Sequence, residues 1–126
     1  MNKPNRPIED NIRGAFQILE YAISEAAGGY NYGYVYFEGY WVISAITLLS
    51  ASPEYEHGEI GLKPVANQEY LTLVDGSFGY QRDLNWSGRL LLQGEWVVRG
   101  RRYAVTDTTS SCRLRVMCER VSEAQP

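Results

Sequence analysis

The residue types that carry catalysis and metal binding are scarce in this sequence. It holds one histidine, His57, in an acidic stretch, and two cysteines, Cys112 and Cys118. Structural zinc is held by sets of Cys and His ligands that these residues cannot complete, so no metal site is predicted. A lone histidine among carboxylates is more often a solvated surface residue than a general base. No glycine loop for phosphate and no nucleophile elbow occurs, so the residues favour a non-enzymatic protein without a cofactor.

The two cysteines are predicted to be buried thiols rather than a disulfide. Six positions apart on one strand, Cys112 and Cys118 would have Cα atoms about 20 Å apart, whereas a disulfide needs less than about 7 Å. Reduced thiols and an N-terminal stretch without the apolar core of a secretion signal predict a cytoplasmic protein. Carboxylates drawn from separate strands leave no local motif, so hydrolysis by such a pair stays open.

A stripe of tyrosines is the most distinctive feature. Tyrosine occupies every second position from 30 to 36, and alternate residues of a strand point to the same face. A turn at Glu38-Gly39 would add Trp41 to that face. Rows of rings with polar tips bind protein partners, sugars or bases; the alternative is that the rings pack under a helix or line a barrel. The predicted binding face comprises Tyr30, Tyr32, Tyr34, Tyr36 and Trp41.

Arginine dominates the second half of the chain. The net charge is −3, but residues 1–75 hold 4 basic and 10 acidic side chains, and residues 76–126 hold 8 and 5. Arg113 and Arg115 alternate with apolar residues, and a turn at Arg99-Gly100 would bring Arg102 to the same outer face. These three arginines predict either an anion patch or a solvated face with Glu95 as counter-charge. Because the tyrosines lie in the acidic half, nucleic acid is an unfavoured partner.

Two kinds of element are expected to position these residues. Apolar residues at steps of three and four predict an amphipathic helix over residues 7–27, with Pro7 in its first turn and Gly28 at its end. The stripe contains Ile8, Ile12, Phe16, Leu19 and Ile23.

From Tyr30 to Val121 the period is two, which predicts strands, followed by a polar tail over residues 122–126. Glu38-Gly39, Asp75-Gly76 and Arg99-Gly100 predict hairpin turns. Pro64 predicts an edge strand. No internal repeat is evident. The prediction is a single domain over residues 1–126 of the α+β class, with the N-terminal helix packed on a curved, mostly antiparallel sheet or small barrel of about seven strands.

These features predict a small cytosolic binding protein that acts through its tyrosine-rich sheet face on a protein partner or a second copy. Accessory, immunity and inhibitor proteins of phages and mobile elements have this size and character. The alternative is a small-ligand barrel, enzymatic or not, with a cavity lined by Tyr and Trp. Single-stranded nucleic-acid binding is a third hypothesis. No apolar run reaches the roughly 18 residues of a membrane span, so no membrane partner is predicted.

Overall fold

The computed structural model describes residues 16–23, 29–50, 57–77, 83–104 and 112–121. They form one six-stranded antiparallel sheet of order β1-β6-β2-β5-β3-β4, so the predicted antiparallel sheet is confirmed. The strands are β1 (Phe16–Ile23), β2 (Gly29–Ser50), β3 (His57–Pro64), β4 (Leu71–Ser77), β5 (Leu84–Ala104) and β6 (Cys112–Arg120).

The predicted N-terminal helix is wrong where the structure can test it. Residues 16–23 form strand β1, paired with β6 along its whole length, and the described residues contain no helix, so the α+β class is also wrong. Period two fits this window as well: Ile23 is buried and Ile18 is 61% exposed. Pairing with β6 decides between the two periods, because tertiary context overrides a local pattern. The rest of the predicted helix lies outside the described residues.

The three predicted hairpin turns are also wrong. Glu38-Gly39 lies within β2, Asp75-Gly76 within β4 and Arg99-Gly100 within β5. Strands β2 and β5 are 22 and 21 residues long and pair with each other over most of that length. Glycine inside a strand marks a bend or a close approach as readily as it marks a turn.

Strand β3 is not an edge strand, contrary to the expectation from Pro64. It pairs with β5 on one side and β4 on the other. Pro64 is the last residue of β3, a position where the missing N–H interrupts little of the ladder. Within the described sheet the edges are β1 and β4.

The sheet is built from two equivalent halves. Exchanging β1 with β4, β2 with β5 and β3 with β6 reverses the strand order and leaves the pairing unchanged. Gly39 lies opposite Gly94 at the centre of the β2–β5 pair, and both have positive φ angles, 105° and 96°. The indole Nε1 of Trp41 donates to the carbonyl of Glu38 at 3.0 Å. The halves are therefore related by a local two-fold axis near the two glycines.

The second half repeats these details. The indole Nε1 of Trp96 donates to the carbonyl of Gln93 at 3.0 Å. The segments EGYWV at 38–42 and QGEWV at 93–97 stand 55 positions apart, as do Gly33 and Gly88. The expectation that the chain has no internal repeat is therefore wrong, and this spacing of Gly-x-Trp-Val is the signal that would have revealed it.

Bending at Gly39 and Gly94 folds the two halves of the sheet onto one core. A Cβ added to Gly33 would lie 2.8 Å from Cγ1 of Ile23 on β1, and one added to Gly100 would lie 2.9 Å from Cδ1 of Leu48. Gly33 and Gly100 face each other across the β2–β5 pair, so glycine at both positions lets the layers approach closely. The inner face buries, among others, Val35, Phe37, Trp41, Ile43, Ile46, Leu48, Ile60, Leu62, Leu114 and Val116.

Replacing the central glycine Gly94 by alanine should lower the free energy of unfolding by about 1–3 kcal/mol, because alanine resists a φ of 96°. No atom would lie within 4 Å of the added Cβ, so the loss measures backbone strain alone. Gly76→Ala is the matched control, since Gly76 has no positive φ and its added Cβ would make only an ordinary contact, 3.9 Å from Cδ2 of Leu84; its effect should stay within about 1 kcal/mol. Urea denaturation measures both, and equal losses would contradict the bend.

Cys112 and Cys118 are both free and buried on β6, which confirms the prediction. Burial raises the pKa of the Cys118 thiol to about 12, whereas an unfolded thiol ionises near about 8.5. Because the folded pKa is raised, this thiol's contribution to stability is complete below pH about 8.5 and is lost as the pH rises towards 12. Ellman's reagent at pH 8 should therefore label the native protein far more slowly than the urea-unfolded protein; equal rates would contradict the burial.

Candidate functional site

One outer face of the sheet gathers aromatic and arginine side chains from four neighbouring segments. Tyrosines 30, 32, 34 and 36 alternate with the buried inner residues of β2, and β5 places Arg101 opposite Tyr32 and Arg99 opposite Tyr34. On the next strand, Glu59 lies opposite Arg101. We call this surface the Tyr–Arg face; it comprises Tyr30, Tyr32, Tyr34, Tyr36, Glu59, Lys63, Tyr70, Thr72, Arg99 and Arg101.

The guanidinium groups interleave with the tyrosine rings. Cζ of Arg99 lies 3.8 Å from the ring centroid of Tyr70 and 5.4 Å from that of Tyr32. Cζ of Arg101 lies 4.4 Å from the ring centroid of Tyr30. Such cation–π contacts contribute about 0.5–1 kcal/mol each at exposed sites. Because each guanidinium group contacts at least one tyrosine ring, the arginine and tyrosine side chains form one continuous surface.

A buried carboxylate holds the two arginines in place. Oε1 of Glu59 accepts from Nη2 of Arg99 at 3.3 Å and lies 3.0 Å from Nη2 of Arg101. Oε2 accepts from the Thr72 hydroxyl at 2.9 Å. The side chain of Glu59 is only 11% exposed. A carboxylate that is nearly removed from water needs such partners to remain charged, so Glu59 and its arginines stabilise one fixed arrangement.

The ring row along β2 is regular. The centroids of Tyr30 and Tyr32 are 6.4 Å apart, and those of Tyr32 and Tyr34 are 6.2 Å apart with an interplanar angle of 13°. Burial raises the pKa of Tyr70 to about 12, against the opposing effect of Arg99. Burial likewise raises the pKa of Tyr34. Both phenols therefore remain protonated near neutral pH and can donate hydrogen bonds.

The structure brings the four predicted tyrosines together but separates Trp41 from them. Tyr30 and Tyr32 are 45% and 38% exposed. Trp41 is fully buried in the core, where its ring meets Phe37 edge-on at a centroid distance of 5.5 Å. Since β2 continues through Gly39 without turning back, Trp41 belongs with the odd-numbered, inward residues.

Arg102 does not share an outer face with the other two predicted patch arginines, Arg113 and Arg115. Arg102 is buried at the end of β5 opposite Asn31. Arg113 and Arg115 lie on β6, which pairs with β1 and β2 rather than with β5. The three arginines could share one outer face only if β5 and β6 were adjacent. Because these strands do not pair, the predicted patch does not form.

Glu95 is not the counter-charge of Arg113 and Arg115. It lies opposite Glu38 near the bend. The counter-charge is Glu20 on β1: its Oε2 accepts from Nε of Arg115 at 2.7 Å, and its Oε1 lies 3.7 Å from Nη1 of Arg113. The sequence analysis placed Glu20 on a helix, which hid the pairing.

Six members of the face were not among the residues predicted for it: Glu59, Lys63, Tyr70, Thr72, Arg99 and Arg101. Arg99 and Arg101 do alternate with buried Val98 and Gly100, which was a usable signal. Their proximity to the tyrosines, however, follows from the register of β2 on β5, and the false turn at Gly100 concealed it. Local alternation gives the face of a strand but not its neighbour.

His57, expected to be a solvated surface residue, is the first residue of β3. Its Nε2 lies 2.5 Å from Oδ1 of Asp75, and both side chains are about half exposed. Among the described residues, no group of three or more His, Cys, Asp or Glu side chains is arranged to hold a metal ion. The same residues include no helix with the length and apolar character to cross a membrane.

The two-fold relation supplies an internal comparison for the Tyr–Arg face. Positions 55 residues beyond the four tyrosines carry Asn85, Ser87, Arg89 and Leu91. On β5, Asn85, Ser87 and Leu91 pair with residues of β2, and Arg89 lies where the register shifts between Ile43 and Ala45. The aromatic row is therefore present on one half of the sheet alone.

The chain matches no protein-family model, no curated protein and no solved structure. Inference about its function therefore rests on its own geometry.

Replacing Glu59 by glutamine should lower the free energy of unfolding by about 3 kcal/mol, because two guanidiniums whose side chains are only 17% and 25% exposed lose their counter-charge. Glu20→Gln is a matched control: Glu20 also bridges two arginines of a neighbouring strand, but its side chain is 36% exposed. Solvent weakens such a pair to about 0–1 kcal/mol. Urea denaturation distinguishes the two, and equal effects would contradict the structural role of Glu59.

Proposed function

We propose that the protein is a non-enzymatic binding module that holds a protein partner on the Tyr–Arg face. The main support is that the cluster of tyrosine and arginine side chains occupies one of the two equivalent faces of the duplicated sheet. Tyrosine and arginine are the residues most enriched at the energetic centres of protein interfaces. Tyr30 and Tyr32 are its exposed aromatic members, with Arg99 and Arg101 between them and Glu59.

The fixed arrangement of the face favours binding. Ordering a long side chain at an interface costs about 0.5–1.5 kcal/mol. Glu59 and the rings of Tyr30 and Tyr70 already hold Arg99 and Arg101 in the unbound protein. A partner that docks there therefore meets a surface whose arginines have less freedom left to lose.

The partner is expected to differ from this chain. A two-fold homodimer brings the same patch of both copies together. The face carries Arg99, Arg101 and Lys63 against one carboxylate, Glu59, so a second copy would oppose like charges. Like-charge juxtaposition disfavours such a contact.

The competing functions find less support in the described residues. A small-ligand barrel would direct the tyrosines into a cavity, but they lie outside, and the interior is packed with residues such as Trp41 and Ile43. Catalysis at the face would need a free base, whereas Glu59 is occupied by three donors. A surface that binds is the function most compatible with both observations.

Affinity capture tests the proposal with three forms of the protein: wild type, the double variant Tyr30→Ala/Tyr32→Ala, and Asn85→Ala/Ser87→Ala. The last alters the exposed, two-fold-equivalent positions of the other face. A partner should be captured by wild type and by the second variant but not by the tyrosine variant. With the purified partner, loss of both rings should raise the Kd at least about tenfold.

Circular dichroism must show that all three forms are folded. A captured set that is the same for the tyrosine variant and wild type would overturn the proposal. A concentration-dependent dimer in sedimentation that disappears in the tyrosine variant would replace the heterologous partner by a second copy.

A further inference from the structure

We infer that the segment bound by the Tyr–Arg face is an extended, acidic stretch of the partner protein, whose carboxylates lie against Arg99 and Arg101. This inference rests on the proposed function and specifies the chemistry of the partner. It follows from three properties of the face: unbalanced charge, spare hydrogen-bond donors and the spacing of the tyrosines.

Among the described residues, one carboxylate balances the two positive charges of the arginine pair. Arg99 and Arg101 share the single carboxylate of Glu59, and both contacts use the same oxygen, Oε1. The third cation, Lys63, is directed to backbone carbonyls of Val65 and Asn67 at 3.2 and 2.7 Å, which adds no negative charge. An anionic group on the partner would neutralise the positive charge of the arginine pair that Glu59 leaves.

The arginines also retain donor capacity. Each guanidinium offers five N–H donors, and Arg99 and Arg101 each direct Nη2 to Glu59. Their side chains remain 17% and 25% exposed. A carboxylate of the partner can therefore accept charge-assisted hydrogen bonds from groups already oriented by Glu59.

The tyrosine spacing matches an extended chain. Alternate side chains of a strand recur every 6.5 Å or so, and the ring centroids along Tyr30, Tyr32 and Tyr34 recur at 6.4 and 6.2 Å. Successive same-side residues of an extended segment can thus each meet one ring. The exposed rings of Tyr30 and Tyr32 supply apolar contact area next to the arginines.

Protein is favoured over nucleic acid by the charge of the whole chain. A net charge of −3 repels a polyanion, and dedicated nucleic-acid binders carry a strongly basic surface. A short acidic segment responds chiefly to the local cations, because salt screens charges beyond about 8 Å at physiological ionic strength.

Display selection tests the inference on the intact protein. A library of short random peptides is selected on wild type and depleted on Tyr30→Ala/Tyr32→Ala. Recovered peptides should be enriched in Asp and Glu and should bind, by fluorescence polarisation, at least about tenfold more weakly when NaCl rises from about 0.05 to 0.5 M. Replacing the peptides' Asp and Glu by Asn and Gln should weaken binding similarly without altering the protein's fold.

On the protein side, Arg101→Gln should weaken the same peptides about tenfold, provided that circular dichroism shows a folded protein. Arg113→Gln is the control: it removes an arginine of comparable type that pairs with Glu20 outside the Tyr–Arg face and should leave the Kd unchanged. The peptide variants keep the test decisive if Arg101→Gln does not fold.

The outcomes separate the two proposals. Tyrosine-dependent peptides without acidic enrichment, or with salt-independent binding, would overturn the acidic segment and leave the protein-binding face standing. A labelled oligothymidylate that binds as tightly as the best peptide and is lost in the tyrosine variant would replace the acidic segment by a single-stranded nucleic acid. Failure to recover any tyrosine-dependent peptide would also overturn the inference, whereas the capture experiment above decides the proposed function on its own.

Discussion

The pairing of β2 with β5 is the interaction on which the rest of the structure depends. These strands exceed 20 residues each and cross the whole molecule, and every other described strand is attached to one of them directly or through one neighbour. Their bend at Gly39 and Gly94 directs both halves of the sheet onto a shared core. The same pairing sets Arg99 and Arg101 beside the tyrosines. A change in this register would therefore disrupt both the core and the Tyr–Arg face.

The Tyr–Arg face illustrates how a structural ion pair organises a surface. Glu59 is costly to bury, and that cost is offset only when Arg99, Arg101 and Thr72 are all in place. The guanidiniums so fixed lie against the tyrosine rings. The exposed Glu20 network on β1 and β6 lacks this effect, because solvent competes for its charges. The two surfaces thus differ because Glu59 is nearly buried and orders its arginines, whereas the exposed Glu20 leaves its arginines solvated.

Alternation along single strands was predictable, and it identified the tyrosine row and the two buried cysteines. Features that depend on which strands pair with each other could not be predicted from the sequence. Period two and a helical period both fit residues 16–23, and only the contact with β6 decides between them. A glycine after Glu38 or Arg99 reads locally as a turn, although in the fold it permits a bend or a close approach. The Gly-x-Trp-Val segments at 39–42 and 94–97 did carry non-local information, as a repeat.

The two-fold relation between the halves has an evolutionary consequence. A chain containing one half alone would leave its long strand unpaired on one side and its part of the core open, so it would have to associate with a second copy about the same axis. The present protein is equivalent to such a dimer joined into one polypeptide. The covalent link makes the contact between the halves intramolecular, so the contact does not depend on protein concentration. Two identical subunits must carry identical faces. A single polypeptide is free of that requirement, and here one half carries tyrosine at positions 30 to 36 where the other carries Asn85 and Ser87.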